Sequence, residues 1–278
     1  MQNIKTKRCE LHPALRSLIR HIVLIDADFG KGIVNQVGNF MPSPDQAMFI
    51  NIFTRFKSKK SGEAHFNIST SCTLIGPQIT PVKLLVEESH KAISIIFQPG
   101  GLNRLLGIPM SEIFDDGFSA REVIGKEIDE LMDKCHDTIT LDELDIIIQH
   151  YFLQKLSYIK EELPIDLALQ YLLTNYNTNM DQIAAMACMS IRNFERKCIE
   201  RLGMPAKMFA RIARFNKAYQ LLENGQVTTW TDLAYVAGYY DQMHFIKDFK
   251  EFAKITPTLI QKELSEEHLQ FQLVWNAL

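Results

Sequence analysis

The sequence is poor in the residues that break regular structure, with 13 glycines and 10 prolines among 278 residues. Collagen-like and structureless segments contain a quarter or more of these two residues. With 46% hydrophobic residues, the chain instead has the composition of one large globular domain or two ordinary ones. Its longest apolar stretches, such as residues 93–97, are too short to cross a bilayer. The composition excludes a fibrous protein, and we expect no membrane partner.

Cysteine pairs and a secretory signal are also missing. The five cysteines are odd in number, scattered, and form no C-x-x-C pair, so they are typical of reduced core thiols. Charged residues near the amino terminus precede any apolar run, which is unlike a secretory signal peptide. These features predict a cytoplasmic protein.

Catalytic and metal-binding patterns are equally scarce. The histidines of the first half form neither an H-x-H pair nor an H-E-x-x-H motif. The carboxylate pairs Glu87-Glu88 and Asp115-Asp116 are adjacent, and neighbours on a strand point to opposite faces, which disfavours paired acid–base chemistry. We therefore predict no catalytic residues, no metal site and no cofactor.

The hydrophobic pattern divides the chain into a β-rich part and a helical part. Short runs of β-branched and aromatic residues, each bounded by turn residues, predict an antiparallel sandwich or barrel before residue 100. These runs are His21–Phe29, Ile33–Phe40, Ala47–Phe56, His65–Ser69, Thr73–Ile75, Val82–Val86 and Ala92–Phe97. Beyond Gly101 the apolar spacing is helical throughout. Because proline can open a helix, Pro164 favours a boundary near residue 160.

Charge is segregated along the chain in the same way. Residues 1–163 contain 18 basic and 21 acidic side chains, whereas residues 179–262 contain 12 basic and 8 acidic ones. Residues 192–217 alone contain eight basic and two acidic side chains. A net charge of -3 for the whole chain therefore conceals a basic carboxy-terminal part suited to a polyanion.

The basic part repeats itself. Residues 181–190 align with residues 231–240 at an offset of 50, and beyond the turn the offset becomes 51, so that Phe194 matches Phe245. Each copy has a short helix, a turn, and a second helix that begins at a polar cap, Ser190 or Asp241. The pattern predicts two helix-turn-helix units.

The second helix of each unit has the two faces that a DNA-reading helix needs. An apolar stripe anchors it, formed by Ile191, Phe194, Cys198 and Leu202 in the first unit and Phe245, Phe249 and Phe252 in the second. Another face presents hydrogen-bonding and apolar groups to base edges in the major groove. The predicted base-reading residues are Arg192, Glu195 and Arg196, then Gln242, Met243, Ile246 and Lys247.

A single helix is predicted between the units, over residues 206–223. At 1.5 Å per residue it is roughly 27 Å long, comparable with the roughly 34 Å between successive major-groove faces. Basic residues on and near it are candidates for phosphate contacts. They are Lys197, Arg201, Lys207, Arg211 and Arg214.

Part of the carboxy-terminal sequence resembles the DNA-binding domain of the AraC/XylS transcription regulators. The residues that carry the resemblance are Asp181–Ala184, Met189–Arg196, Arg214, Ala218, Leu221–Leu222, Leu233–Ala234, Ala237–Lys250 and Thr256–Pro257. The resemblance implies a seven-helix domain that contacts two adjacent major-groove segments, with the base-reading residues named above at matching positions. The amino-terminal half, through Phe97–Gly107, also resembles a sensor domain found attached to such regulators. The family resemblance implies a cupin-like β-barrel followed by helices in this half.

This sequence departs from the family pattern at two positions. Cys198 stands where the family commonly has Phe, and Lys254 where it commonly has Gly. Neither lies on the predicted DNA face, so the departures concern packing.

The predicted fold class is α+β: a β-rich cupin-like barrel or sandwich followed by helices, then an all-α double helix-turn-helix domain. We expect a sensor domain over 1–160, a DNA-binding domain over 161–264 and a helical extension over 265–278. The predicted function is a sequence-specific transcription regulator of double-stranded DNA, controlled by a small-molecule effector or partner. A homodimer and a contact with RNA polymerase are left open, as is activation or repression. Two alternatives are an enzyme acting on a small molecule with a helical scaffold, and an adaptor without DNA contact.

Overall fold

The computed structural model describes residues 3–28, 36–86, 89–138, 140–225 and 229–266. Its first half contains two antiparallel sheets, with strand orders β1-β2-β9-β4-β7-β10 and β3-β8-β5-β6. The strands are β1 (Asn3–Arg8), β2 (Ile19–Asp28), β3 (Gln36–Phe40), β4 (Ala47–Asn51), β5 (Lys57–Lys60), β6 (Asn67–Ile68), β7 (Cys72–Ile75), β8 (Val82–Val86), β9 (Ser89–Phe97) and β10 (Gly117–Ser119).

The six-stranded sheet is covered on both faces, which explains why its central strands are apolar almost without interruption. Along β2, Val23 and Ile25 pack against the four-stranded sheet. Leu24 points the other way, into a core that contains Leu144 and Ile148. Since successive side chains of a strand alternate between faces, a strand buried on both sides loses the usual alternation of apolar and polar residues.

Short helices cover the outer face of the six-stranded sheet. They are α1 (Gly101–Leu106), α2 (Ala120–Ile124), α3 (Glu127–His136) and α4 (Leu141–Lys155), with 3-10 helices at Pro13–Leu15 and Met110–Ile113. The prediction that everything beyond Gly101 is helical is wrong at β10, which pairs with β7 at the sheet edge. Three residues are too few to produce a visible period of two, so the strand is defined only by its partner.

Seven helices form the rest of the described chain. They are α5 (Pro164–Thr174), α6 (Met180–Met186), α7 (Ile191–Leu202), α8 (Ala206–Glu223), α9 (Trp230–Val236), α10 (Gln242–Phe252) and α11 (Pro257–Glu266). The predicted helix over residues 206–223 is confirmed as α8. Residues 33–35 of one predicted strand and residues 267–278 of the predicted extension lie outside the described residues.

The helical part has its own core, into which the β-rich part inserts a few side chains. This core is built from α5 to α11 and includes Met41 from the segment after β3. Ile79 and Phe114, from two other segments of the first half, also pack against it. The predicted α+β class is confirmed.

Within the described residues, no helix combines the length and apolarity needed to cross a bilayer.

Burial of a histidine makes the stability of the β-rich part depend on pH. His90 is 6% exposed and stacks on Phe49, with ring centroids 6.1 Å apart. Burial lowers the pKa of His90 to about 4. The unfolded chain therefore takes up this proton near pH 6.5, whereas the folded chain does so only near pH 4. The stability that the neutral ring contributes is present above pH 6.5 and is lost as pH falls toward 4.

We predict that His90→Gln flattens the dependence of the free energy of unfolding on pH between 6.5 and 4. The lost pH-dependent part is about 3 kcal/mol, because each unit of pKa shift corresponds to about 1.4 kcal/mol. Urea unfolding at several pH values measures it, with the exposed His65→Gln as control. An unchanged slope in His90→Gln would contradict the assignment.

Candidate nucleic-acid interface

The sequence repeat is reproduced in backbone hydrogen bonds at the same offset of 50 residues. In the first unit, the amide of Met189 donates to the carbonyl of Ala184 over 3.0 Å. In the second, the amide of Tyr239 donates to the carbonyl of Ala234 over 2.8 Å. A matching pair closes each turn one residue earlier, at Cys188 and at Gly238. The two predicted helix-turn-helix units therefore share one backbone geometry.

Polar caps start the second helix of each unit, as the sequence predicted. The Ser190 hydroxyl accepts a bond from the amide of Asn193 at the start of α7. The Asp241 carboxylate accepts one from the amide of His244 over 2.8 Å at the start of α10. Bonds from the His244 amide and ring lower the pKa of Asp241. Each cap satisfies a backbone donor that a helix start leaves without a partner.

The turn of each unit requires a residue in the left-handed conformation. Gly238 meets this need in the second unit with a φ of 79°, and Cys188 takes the matching position in the first with a φ of 55°. Lys254, at the position where the family commonly has Gly, also has a positive φ of 62°. Side chains other than glycine adopt this conformation at a cost, so Cys188 and Lys254 carry a backbone strain that Gly238 avoids.

Apolar side chains anchor α7 and α10 in the helical core. Phe194, Cys198 and Leu202 of α7 are fully buried. In α10, the rings of Phe245 and Phe249 lie 4.4 Å apart, and Phe249 lies 4.9 Å from the ring of Phe215 in α8. These contacts fix which face of each helix turns outward.

Two members of the α7 stripe, Cys198 and Ile191, differ in burial. Burial raises the pKa of the Cys198 thiol to about 12, so this thiol behaves as a core group. The inclusion of Ile191 in the stripe is wrong, because Ile191 is 38% exposed. It occupies the first position of α7, where the side chain is still partly open to solvent.

The three predicted base-reading residues of α7 all lie on its exposed face. Arg192, Glu195 and Arg196 are exposed. The Arg196 guanidinium donates to the Asn193 amide oxygen over 2.9 Å, which orients it along the first turns of the helix. A guanidinium with further free donors in this position suits the O6 and N7 acceptors of guanine.

The predicted base-reading residues of α10 differ in exposure. Gln242, Met243 and Lys247 are exposed, whereas Ile246 is half-buried against the helical core. Two exposed side chains beside them were not included in the prediction: His244, and Tyr240, which is 94% exposed. No sequence signal distinguished Tyr240, which lies immediately before the cap Asp241.

The predicted phosphate contact of Arg201 is wrong. Its side chain is 4% exposed and lies at the seam between the two parts of the protein. Its Nε atom is 3.3 Å from Asp166 Oδ1 in α5, and its Nη1 atom donates to Asn103 Oδ1 in α1 over 3.0 Å. The Arg201 carbonyl accepts a 2.7 Å bond from the side chain of Gln46. This guanidinium joins α7 to α1 and α5 and cannot reach a phosphate.

Arg211 and Arg214 are held by two carboxylates of α10, so their guanidinium groups already have partners within the protein. Arg211 Nη2 lies 2.7 Å from Asp248 Oδ1 and 2.6 Å from Glu251 Oε2. Arg214 Nη2 lies 3.2 Å from Asp248 Oδ2, and its guanidinium covers the ring of Tyr239 at 4.2 Å. The bond from Arg211 lowers the pKa of Glu251. Both arginines fix α10 on α8.

The two lysines of the phosphate set remain on the surface. Lys207 is exposed at the start of α8. Lys197 is half-buried, and its ammonium donates to Glu200 over 2.7 Å, which lowers the pKa of Glu200. Lys207 is therefore the better candidate for a phosphate contact.

In the part of the chain that the structure describes, no group of three His, Cys, Asp or Glu side chains could hold a metal ion.

Two family models match this chain, and between them they cover both parts. Residues 183–263 match a helix-turn-helix domain family, and residues 7–119 match a domain family of unknown function. The helix-turn-helix prediction is confirmed by the first match. An uncharacterized helix-turn-helix-type transcriptional regulator of Haemophilus influenzae is 31% identical over 87 residues, which are 31% of this chain and 29% of that protein. The alignment thus spans less than a third of this curated relative.

Two solved structures are among those that match this chain. ToxT from Vibrio cholerae, bound to (E)-4-(8-methylnaphthalen-1-yl)but-3-enoic acid, is 14% identical, with 95% of this chain and 99% of that chain covered and a TM-score of 0.45. The DNA-binding domain of AdpA, in complex with a target DNA, is 19% identical, with 39% of this chain and 99% of that chain covered and a TM-score of 0.37. Both scores are below 0.5, so the domain assignment rests on the family match.

We predict that Arg201→Ala lowers the free energy of unfolding by about 3–5 kcal/mol, because it leaves the Asp166 carboxylate buried without its charge partner. The double variant Arg201→Met, Asp166→Asn should recover most of this loss, since the Asn side-chain oxygen can still accept the bond from the Leu163 amide at the start of α5. Urea unfolding of the full chain measures both. Lys197→Ala, which breaks a surface pair, should cost under about 1 kcal/mol. A loss in Arg201→Ala no larger than in Lys197→Ala would contradict the assignment.

Proposed function

We propose that this chain, whose carboxy-terminal domain is an AraC-type helix-turn-helix domain, is a sequence-specific DNA-binding transcription regulator. The observation that carries the proposal is the duplicated unit in which each second helix is anchored by a buried apolar stripe and leaves its first turns exposed. A helix inserted into a major groove contacts base edges with its amino-terminal residues.

The proposed base-reading residues are Arg192, Glu195 and Arg196 in α7 and Gln242, Met243 and Lys247 in α10. Their exposure and their position on the first turns support the assignment. Arg196 and Lys247 suit guanine, Gln242 suits adenine, and Met243 can pack on a thymine methyl group. Ile246 contributes chiefly to packing, since it is half-buried. Lys207 and Lys197 are proposed to contact phosphates.

The remaining parts of the proposal concern regulation. Residues 1–160 would act as a sensor or regulatory domain that responds to a small-molecule effector, and residues 161–264 as the DNA-binding domain. Action in the cytoplasm, a homodimer and a contact with RNA polymerase belong to the same proposal. The alternative is an enzyme that modifies a small molecule on the β-rich part.

Selection from a random pool of double-stranded DNA with the full chain tests the proposal directly. We expect enrichment of one motif with two half-sites, and binding that weakens steeply as salt rises, because phosphate contacts release counterions. Recovery of unenriched DNA at low salt would contradict sequence-specific recognition. Chemical turnover of a small molecule by the purified chain would favour the enzyme alternative.

Arg196→Ala should weaken binding to the selected site by about 1–3 kcal/mol and relax the preference at one base, since a bidentate contact to guanine is worth about that much. Fluorescence anisotropy on the selected duplex and on single-base variants measures the effect. Equal losses on selected and random duplexes would remove Arg196 from the base-reading set.

Lys207→Ala should weaken binding to all duplexes alike and reduce the slope of log K against log salt by about 1, because one phosphate contact is lost. The same anisotropy measurement, repeated over a salt series, gives the slope. Lys134→Ala, which removes an exposed lysine of α3, is the matched control and should leave the slope unchanged. A loss confined to the selected duplex would rule out a phosphate role for Lys207.

A further inference from the structure

The second helix-turn-helix unit contains one residue more than the first, and the structure locates the extra residue at Tyr240. Up to the turn the units match at an offset of 50, since the amides of Met189 and Tyr239 donate to corresponding carbonyls. The caps of the second helices, Ser190 and Asp241, match at an offset of 51. Tyr240 lies between these two matched pairs, so it has no counterpart in the first unit.

The Tyr240 side chain is left outside the fold, at 94% exposure. An apolar residue that precedes a helix cap often packs on the fourth residue of that helix, which in α10 is Phe245. The Phe245 ring already has other neighbours, with the ring centroids of Tyr239 and Trp230 at 5.5 Å and 6.2 Å. The ring of Tyr240 therefore does not take the place where such a residue usually packs.

The residue before the cap has a different environment in the first unit. Met189 is half-buried and packs against the helical core, to which Phe194 belongs. In the second unit the buried position is taken by Tyr239, which is 4% exposed, one residue before Tyr240. The extra residue thus adds a large ring to the surface of the second unit, and a partner that covers this ring gains the free energy of burying it.

A second apolar side chain extends this surface onto α10. Met243, one of the proposed base-reading residues, lies three residues after Tyr240 and is 74% exposed. Both residues lie at the amino-terminal end of α10, the part of a reading helix that meets base edges. At the position of Met243, α7 has Arg192. Tyr240 and Met243 are called the apolar edge below, and α7 presents a cation where α10 presents this edge.

The polar side chains beside the apolar edge are engaged with each other. The Asp241 carboxylate accepts the amide bond of His244 and lies 2.9 Å from Nδ1 of the same residue. A carboxylate next to Tyr240 repels phosphate, so the phenol hydroxyl is poorly placed to contact the DNA backbone. The apolar group that base pairs present in the major groove is the 5-methyl group of thymine. The apolar edge matches that group better than it matches a phosphate.

We propose that Tyr240 is a specificity-determining residue of the second unit, and that the apolar edge packs on thymine methyl groups in the half-site contacted by α10. This inference rests on the proposed function, because it assigns the chemistry of one half of the same DNA interface. It makes the two half-sites unequal, since α7 presents Arg192 and Arg196 in its first turns.

The contribution of the ring is measured with the full chain by fluorescence anisotropy on the duplex that this chain selects. Tyr240→Ala should weaken binding to the selected duplex about tenfold and binding to random duplex less than about twofold, because an apolar contact to a base is lost. Tyr240→Phe, which keeps the ring, should bind within about twofold of the unaltered chain. Tyr158→Ala, at an 84% exposed tyrosine after α4, is the matched control and should change nothing.

Two results of this measurement would overturn the proposal. One is unchanged binding of Tyr240→Ala to the selected duplex. The other is a loss in Tyr240→Phe as large as in Tyr240→Ala, which would assign the contact to the hydroxyl group. Because the side chain lies outside the core, each variant should keep the melting temperature of the unaltered chain, which separates a lost contact from a lost fold.

The thymine methyl groups are tested by replacing each thymine of the selected site with deoxyuridine, which removes the methyl group and keeps the hydrogen-bonding groups. The half-site of α10 is the one whose base preference survives Arg196→Ala. There we expect about fourfold weaker binding at one or two positions, equivalent to about 0.8 kcal/mol for one buried methyl-sized group. At the thymine that Tyr240 contacts, deoxyuridine should cost less than about twofold in Tyr240→Ala, because the contact is already absent.

The outcomes separate this inference from the proposed function. A chain that enriches no motif loses both. A chain that enriches a motif retains the proposed function and loses the inference in either of two cases: the half-site of α10 contains no enriched thymine, or deoxyuridine is tolerated at every thymine there. Equal deoxyuridine penalties in the unaltered chain and in Tyr240→Ala at all positions would remove Tyr240 from the methyl contact.

Discussion

The buried guanidinium of Arg201 is the contact on which the arrangement of the two parts depends. It lies at the carboxyl end of α7 and joins Asp166 of α5 to Asn103 of α1. A charge removed from water is tolerated only when a partner charge and hydrogen bonds replace the solvent. Burial raises the pKa of Asp166, and the Leu163 amide and Arg201 oppose that rise. Such a pair adds little net stability, but it permits few alternative geometries, so the position of α7 is defined relative to the β-rich part.

The charged contacts that hold α10 differ from those that hold α7, although the two units are repeats. Asp248 of α10 receives Arg211 and Arg214 from α8. At the offset of 51, Asp248 matches Lys197, and Arg201 matches Phe252. Lys197 remains near the surface with Glu200, whereas Phe252 is buried under the Arg211 guanidinium. Duplication thus preserved the backbone and the apolar stripe, while the charged anchors differ according to what each helix packs against.

This difference explains how much could be predicted from the sequence. The bounds of α8, the polar caps and the burial of Phe194 and Phe245 follow from local signals, because periodicity and capping are properties of neighbouring residues. The fate of Arg201 depends on Asp166 and Asn103, which lie 35 and 98 residues away. The local sequence around a basic residue on an amphipathic helix does not show whether its side chain will contact a phosphate or a buried carboxylate. The three-residue strand β10 was missed for a related reason, since only its pairing with β7 defines it.

The contacts that anchor α7 and the side chains proposed to contact DNA lie at opposite ends of the helix. The buried contact to Arg201 lies in its last turn, whereas Arg192, Glu195 and Arg196 lie in its first turns. The amino-terminal end of a helix also carries the positive end of its dipole and free amide groups, which favour phosphate oxygens. Among the described residues, α1 contacts the last turn of α7 at Glu200 and Arg201, whereas the side chains proposed to read bases are exposed in its first turns.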